Sequence, residues 1–404
     1  MKIQFRDLWQ IMDWEDITLT IYSKTGADVK RALAAHQRTL HDFMALISPA
    51  AQPYLEQIAQ EAQRLTRKRF GHTVGFYAPL YLSNLCSNDC TYCGFSMSNR
   101  IKRKTLNAEE IDRECDALNA MGYEHLLLVT GEHQNKVGMD YFRHHLPSIR
   151  KKVSSLMMEV QPLSTENYAE LKTLGLDGVM VYQETYNAST YQYHHLKGQK
   201  QDFFWRLETP ERLGQAGIDK IGLGALIGLS KDWRTDCYFL ATHLSFLQKH
   251  YWQSRYSISF PRLRPCAGGI EPASLMDDPQ LVQLIVHSVC SRRKLNCRCL
   301  PESHLTFAIT LFHSRLTALA QVLKLSPAVM PIRVSQSWNS FPLMIIARLN
   351  RLPMLYQLRD YSRYGRTGIV FWEELRNINK KSATEVIYFR CRTRPDKLRL
   401  VQSR

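Results

Sequence analysis

Cys86, Cys90 and Cys93 stand at C-x3-C-x2-C spacing in the stretch PLYLSNLCSNDCTYCGF. Thiolates are the standard ligands of iron–sulfur clusters, and a loop offering three of them can hold a [4Fe-4S] cubane with its fourth iron left open. That iron can chelate a small molecule. The rival readings are three buried free thiols or part of a zinc site. Zinc usually takes four protein ligands, often as two separated pairs, and no CxxC pair elsewhere in the chain completes one. The spacing favours the cluster.

Such a loop must be held between regular elements, and the sequence supplies them. Residues 1–70 read as a helical extension. Asp28, Val29, Leu33 and His36 begin one amphipathic pattern, and Tyr54, Ile58, Ala62 and Leu65 carry another. Arg64, Arg67, Lys68 and Arg69 read as a solvated helix end. From Gly71 onward the pattern is strand, loop and helix, repeated. Strands are predicted over His72–Ser83, Leu126–Val129, Leu156–Val160, Val179–Tyr182, Ile221–Ile227 and Tyr256–Phe260. Asn107 and Glu110 make a capping-box start for one helix, which stops at Gly122. Another runs from Ser164 to Leu174 and ends at Gly175. Six βα units before about residue 288 predict an α/β barrel, whose functional loops follow the strand C-termini.

The cysteine loop follows the first strand. Thr130-Gly131-Glu132 follows the second: Gly131 permits close backbone approach and Glu132 can accept from an ammonium group, although such a tripeptide is also a common turn. Gln183 and Glu184 follow the fourth, either as ligand-binding groups or as a helix-start carboxylate. Gly224 lies in a glycine pattern, Gly222 to Gly228, that also suits close packing. Arg262 and Arg264 alternate along the end of the sixth strand, so they share a face. A guanidinium there can clamp a carboxylate bidentately or form a structural ion pair. His133, His194 and His195 receive no ligand role.

The chain has 404 residues and a net charge of +16. Its composition is that of a globular protein, and no uncharged apolar run reaches membrane-spanning length. Cysteine usage suits a reducing compartment, and Met1 to Asp7 leads into charged sequence rather than a secretory signal. A cytoplasmic protein without a membrane is expected. The charge is unevenly placed. Residues 285–404 carry 21 Lys and Arg against 6 Asp and Glu, leaving a net of only +1 for residues 1–284.

Several stretches carry a closer likeness: RFGHTVGFYAPLYLSNLCSNDCTYCGFSMSNRIKRKTL (69–106), LLLVTGEHQNKVG (126–138), GLDGVMVYQETYN (175–187) and SISFPRLRPCAGGIEPASLMDD (257–278). They resemble the radical S-adenosylmethionine (SAM) enzymes and, more narrowly, the 2-iminoacetate synthase family, from the N-terminus to about Leu284. The resemblance implies a radical SAM (βα) barrel, of eight units in the family, and reductive cleavage of SAM to a 5′-deoxyadenosyl radical. That radical takes hydrogen from L-tyrosine, whose Cα–Cβ bond breaks to give 2-iminoacetate and p-cresol for thiazole and thiamine synthesis. It also implies cluster ligation by Cys86, Cys90 and Cys93, with Tyr92 and Gly224 near the adenine. Gly131 and Glu132 would hold the methionine amino group. By their own chemistry, Gln183 and Glu184 could meet the ribose or a carboxylate, and Arg262 and Arg264 the tyrosine carboxylate. Thiazole synthase and a one-electron donor such as flavodoxin are the implied partners.

Three other readings compete. The hydrogenase-maturation tyrosine lyases carry a second C-terminal cluster, whereas the tail here offers Cys290, Cys297, Cys299 and Cys391 with no CxxC. A nucleic-acid-binding protein rests on the tail charge alone, with no finger, P-loop or RNA-motif signature. The third is an inactive or unstable product of a frameshifted gene. From about Ile285 the resemblance stops, the charge jumps, and no linker composition intervenes. Codons can be chosen for Ser291–Ile309, Val322–Ile332 and Tyr364–Ile378 whose bases, read two positions later, spell family-like segments in order, the last closed by a stop codon. The organisation is therefore an extension over 1–70, a barrel core over 71–284 and an out-of-frame basic tail over 285–404.

Overall fold

The computed structural model describes residues 3–70, 77–263, Cys266 and 268–290. The start of the first predicted strand, Arg264 and the tail beyond Cys290 lie outside the described residues. The chain opens with helices α1 (Phe5–Ile11), α2 (Trp14–Tyr22), α3 (Gly26–Ala34), α4 (Leu40–Ile47) and α5 (Leu55–Phe70). Asp13, Thr25 and Thr39 cap α2, α3 and α4 by accepting from the amide three residues on. Val29, Ile58, Ala62 and Leu65 are buried, as their helical spacing requires.

There follow β1 (Ala78–Ser83), β2 (Asp89–Cys90), α6 (Ala108–Ala120), β3 (His125–Thr130), α7 (Met139–Lys152), β4 (Ser155–Glu159) and α8 (Thr165–Thr173). The next group is β5 (Gly178–Met180), α9 (Ala188–His194), β6 (His195–Lys197), α10 (Phe203–Leu207) and α11 (Thr209–Gln215). The last is β7 (Lys220–Gly224), α12 (Trp233–His250), β8 (Arg255–Ser259) and α13 (Asp278–Cys290). The order β1-β3-β4-β5-β7-β8 forms one six-stranded sheet with every neighbouring pair parallel. All six predicted strands are present. Asn107 and Ser164 cap α6 and α8, and Gly122 and Gly175 stop them at φ 87° and 98°.

Two boundaries differ from expectation. β5 ends at Met180 and β7 at Gly224, short of Tyr182 and Ile227. Beyond them the pairing thins to single bridges, Glu184 with Ala225 and Ile227 with Arg262. Glu184, in the first of these bridges, adopts φ 71°. The antiparallel pair β2–β6 went unanticipated, being too short to leave a pattern in the sequence.

One apolar core runs from Phe5 and Ile21 through Leu82, Leu128 and Leu223 to Leu284. The N-terminal helices therefore pack as part of the barrel's wall. Arg234 Nε donates to Ile47 O at 2.9 Å, and Gln283 Nε2 donates to Leu46 O and Ser48 O at 3.0 and 2.8 Å. No described helix is long and apolar enough to cross a membrane.

Candidate active site

The loop after β1 is stapled in place by Arg103. Its Nη1 donates to Asn84 O and Phe95 O at 2.7 and 2.8 Å, and its Nη2 to Ser96 O and Asn99 O at 2.6 and 3.2 Å. Cys90 N donates to Ser96 Oγ at 2.8 Å, and that hydroxyl donates to Asp89 Oδ1 at 2.6 Å. On one side β6 pairs with Asp89 and Cys90. On the other, Ser87 N donates to Glu132 O at 2.9 Å. Gly131 is glycine because a Cβ there would stand 2.4 Å from Leu85 O and 3.2 Å from the Cβ of Cys86. The close approach expected of Gly131 is thus made by the cysteine loop itself.

Cys90 is buried and Cys86 and Cys93 are half-buried. Burial pushes the Cys90 thiol up to about 12, against an opposing pull from Lys200, and raises that of Cys93 for the same reason. A bare thiolate is costly here, so the loop suits a metal that takes the negative charge. Among the described residues no three His, Cys, Asp or Glu side chains gather round one point. A cubane asks for a wider arrangement, since each of three thiolates binds a different iron.

Above the loop two carboxylates and two cations form a buried group. Arg206 Nη1 donates to Glu132 Oε1 at 2.9 Å and Nη2 lies 3.5 Å from Glu184 Oε1. Lys200 Nζ donates to Glu184 Oε1 at 2.7 Å and stands 4.0 Å from Glu132. Asn88 Nδ2 supplies Glu132 Oε2 at 2.8 Å, tying the carboxylate back to the cysteine loop. Burial alone would raise the Glu132 carboxyl; Arg206 and Lys200 overcome it and hold the group below the usual carboxylate range. Glu184 is the one non-glycine at positive φ among the described residues. A strained backbone of that kind costs on the order of 1–3 kcal/mol and concentrates at functional sites.

The other anticipated residues separate into several environments. Tyr92 is buried; its hydroxyl meets His195 Nε2 at 2.8 Å, while His195 Nδ1 donates to Tyr191 O at 2.6 Å. His195 thus orients Tyr92 as a neutral imidazole, burial holding its basicity down at about 2. Gln183, beyond the end of β5, has its Nε2 buried and unpartnered, and Thr130 Oγ1 is likewise orphaned. A Cβ on Gly224 would lie 2.6 Å from the Tyr182 ring and 2.8 Å from Ser259 O, so packing already accounts for that glycine. Arg262 Nη1 donates to Asp278 Oδ1 at 2.8 Å and to Met276 O at 3.2 Å, the structural ion pair weighed from sequence. Sequence reasoning missed Lys200, Arg206 and Arg103.

A parallel α/β sheet, three thiols on the loop after its first strand and buried carboxylates on the rim define a radical SAM enzyme. The Radical SAM superfamily model matches residues 80–240. The donor set fits the cofactors of that superfamily, with three thiols for a [4Fe-4S] cluster and orphaned polar atoms and a charged group beside it for SAM. The 2-iminoacetate synthases of Salmonella typhimurium and Escherichia coli are each 73% identical over 281 residues, covering 70% of this chain and 74% of theirs. The chain belongs to the 2-iminoacetate synthase family. Among solved structures, HydG, a maturase of the [FeFe]-hydrogenase, aligns with TM-score 0.63 at 28% identity, over 69% of this chain and 64% of its own. Methylornithine synthase shares the fold at TM-score 0.52 and 20% identity, over 66% of this chain and 77% of its own.

Proposed function

We propose that this chain is a tyrosine lyase, breaking the Cα–Cβ bond of L-tyrosine to give 2-iminoacetate and p-cresol for the thiazole of thiamine. The observation that carries it is the 73% identity over 281 residues to 2-iminoacetate synthase. When bound, the cluster and SAM supply the one-electron reductive cleavage that starts the radical reaction. The chain's own residues bind, orient and shield. Cys86, Cys90 and Cys93 ligate the cluster, and Tyr92, pinned by His195, walls the adenine side together with the Gly224 segment. Gly131 lets Glu132 sit against the loop, where its oxygens take the ammonium of SAM. Gln183 and Glu184 serve the ribose and carboxylate, with Lys200 and Arg206 as counter-charges. Arg264 clamps the tyrosine carboxylate, since Arg262 is already held by Asp278. Thiazole synthase takes up the imine, a one-electron donor such as flavodoxin delivers the electron, and the setting is the cytoplasm.

Anaerobic reconstitution is expected to give about four irons and four sulfides per chain. Tyrosine and SAM with a reductant should then yield p-cresol and 5′-deoxyadenosine. A fully loaded protein that cleaves SAM but leaves tyrosine intact would return the function to an undefined radical SAM reaction.

The abrupt charge change supports a second reading, that residues from about Ile285 are translated out of frame and that this copy is impaired. The nucleotide sequence between the codons for Leu284 and Cys290 tests it. A single-base gain or loss there should restore a family-like tail; if none does, residues 285–404 are a genuine extension.

A further inference from the structure

The two faces of the parallel sheet differ in burial. Residues on the helix side are closed off: Leu80, Leu126, Leu156, Val179, Ile221 and Tyr256 all belong to the main core. The alternate residues take the inner face. A separate apolar cluster marks that side, Leu127, Met157 and Met180 with Val129 and Tyr182 packed on it. Glu159, two residues beyond Met157, shares this face. Toward the strand C-termini the inner face opens. Tyr81, Val129, Glu159, Tyr182 and Ser257 are only half-buried, although the residues on either side of each are buried. Register sets three of them in one row, with Tyr81 opposite Val129 and Val129 opposite Glu159. The Glu159 charge is felt at Tyr81, whose phenol is raised first by burial and then by that carboxylate. The Tyr81 ring also meets Phe95 edge-on at 6.3 Å, so the row begins against the segment that follows Cys93.

The rim sets how a reacting amino acid must lie here. The reaction starts beside the cysteine loop and breaks Cα–Cβ, so the amino-acid end faces the rim and the ring points along the inner face. Glu132 stands three residues beyond Val129, about 10 Å of extended chain. That is room for one tyrosine side chain. Val129, Met180 and Tyr182 offer a ring apolar, sulfur and aromatic contact. At the far end stands Glu159, and a phenol hydroxyl is the donor that tyrosine brings to a carboxylate. We propose that Glu159 is a specificity-determining residue, its carboxylate accepting the phenol hydroxyl of the substrate while Val129, Met180 and Tyr182 flank the ring. The proposal rests on the tyrosine-lyase reading and adds how tyrosine is told from phenylalanine. A hydrogen bond to a charged acceptor is among the strong ones. Phenylalanine forfeits it and leaves the carboxylate facing a ring edge that cannot donate. The proton stays on the phenol oxygen.

The test is calorimetric titration of tyrosine and of phenylalanine into the reconstituted full chain with SAM, for the parent, Glu159→Gln and Glu159→Leu. The parent is expected to favour tyrosine by about a hundredfold. Glu159→Leu should weaken tyrosine by about a hundredfold and leave phenylalanine within about threefold. Glu159→Gln keeps an acceptor oxygen without the charge, and should lose about tenfold for tyrosine alone. Iron content and SAM affinity should stay at parent values in both variants, which a merely structural role would not predict. Equal weakening for the two amino acids overturns the proposal, as does an undiminished preference for tyrosine in Glu159→Leu. So does a parent that does not distinguish them. Should Glu159→Leu fail to fold, the milder Glu159→Gln decides by the same comparison. A parent that prefers tyrosine, loses the preference in the variants and yet makes no p-cresol keeps the phenol site and refutes the lyase activity. Parent-like discrimination in variants that still make p-cresol does the reverse.

Discussion

Cys90→Ala is expected to abolish both cluster assembly and SAM cleavage, taking iron from about four per chain to background and 5′-deoxyadenosine below detection. Cys90 is the buried member of the trio, with its amide fixed to Ser96 and its strand paired with β6. Its loss leaves two half-buried thiols and no third anchor. A second variant separates ligand loss from general damage. Cys115 is fully buried in α6, within the main apolar core. Cys115→Ala should cost on the order of 1 kcal/mol of stability for its small cavity and leave iron content unchanged. Cys266, exposed and donating from Sγ to Tyr92 O at 3.2 Å, lies near the loop without belonging to the motif. Cys266→Ala should also keep its iron, because the three motif cysteines would hold the cluster without it. Iron by chemical assay and the cluster's visible absorption check all three. Four retained irons in Cys90→Ala would sink the ligand assignment.

The sheet was legible because its six strands are short, almost uninterrupted apolar runs separated by helices, the pattern of parallel strands buried on both faces. The cysteine loop was legible because covalent chemistry fixes its spacing. Glycine and asparagine signals placed the ends of α6 and α8 for local reasons, a left-handed residue at each stop and a side-chain acceptor at each start. What was lost depends on partners far along the chain. Arg206 meets Glu132 across 74 positions, and nothing around GQKQDFFWR marks either of its cations as buried. Lys200 and Arg206 read locally as ordinary surface charges. Only the fold brings two carboxylates within their reach. Gly131 and Gly224 were read correctly as sites of close approach, but the approaching atoms belong to the protein. The pairing of Arg262 with Asp278 was one of two alternatives that spacing alone left open.

Arg206→Gln is expected to be the most damaging change outside the cysteines. The guanidinium reaches Glu132, Glu184 and, through Nε at 2.7 Å, Tyr182 O. Removing one member of a buried charge group leaves the others uncompensated, at a cost of about 3–5 kcal/mol. Here Lys200 alone would remain to balance two carboxylates. SAM binding should weaken by about a hundredfold or more, equivalent to about 3 kcal/mol, because Glu132 loses the bond that aims it. The pH dependence carries the sign. In the parent, Glu132 is held below its ordinary value, so its contribution to stability is present at neutral pH and lost only as acid protonates it. Without Arg206, burial is less opposed and the carboxyl moves upward, so that the variant gains relative stability as pH falls. Thermal melts should therefore show the largest deficit at pH near 8 and a smaller one near 5.5, well above and nearer the range in which carboxyls protonate. Arg206→Lys keeps the charge but not the fork, and should lie between the two. Equal deficits at both pH values with parent-like SAM affinity would show that Arg206 merely fills space.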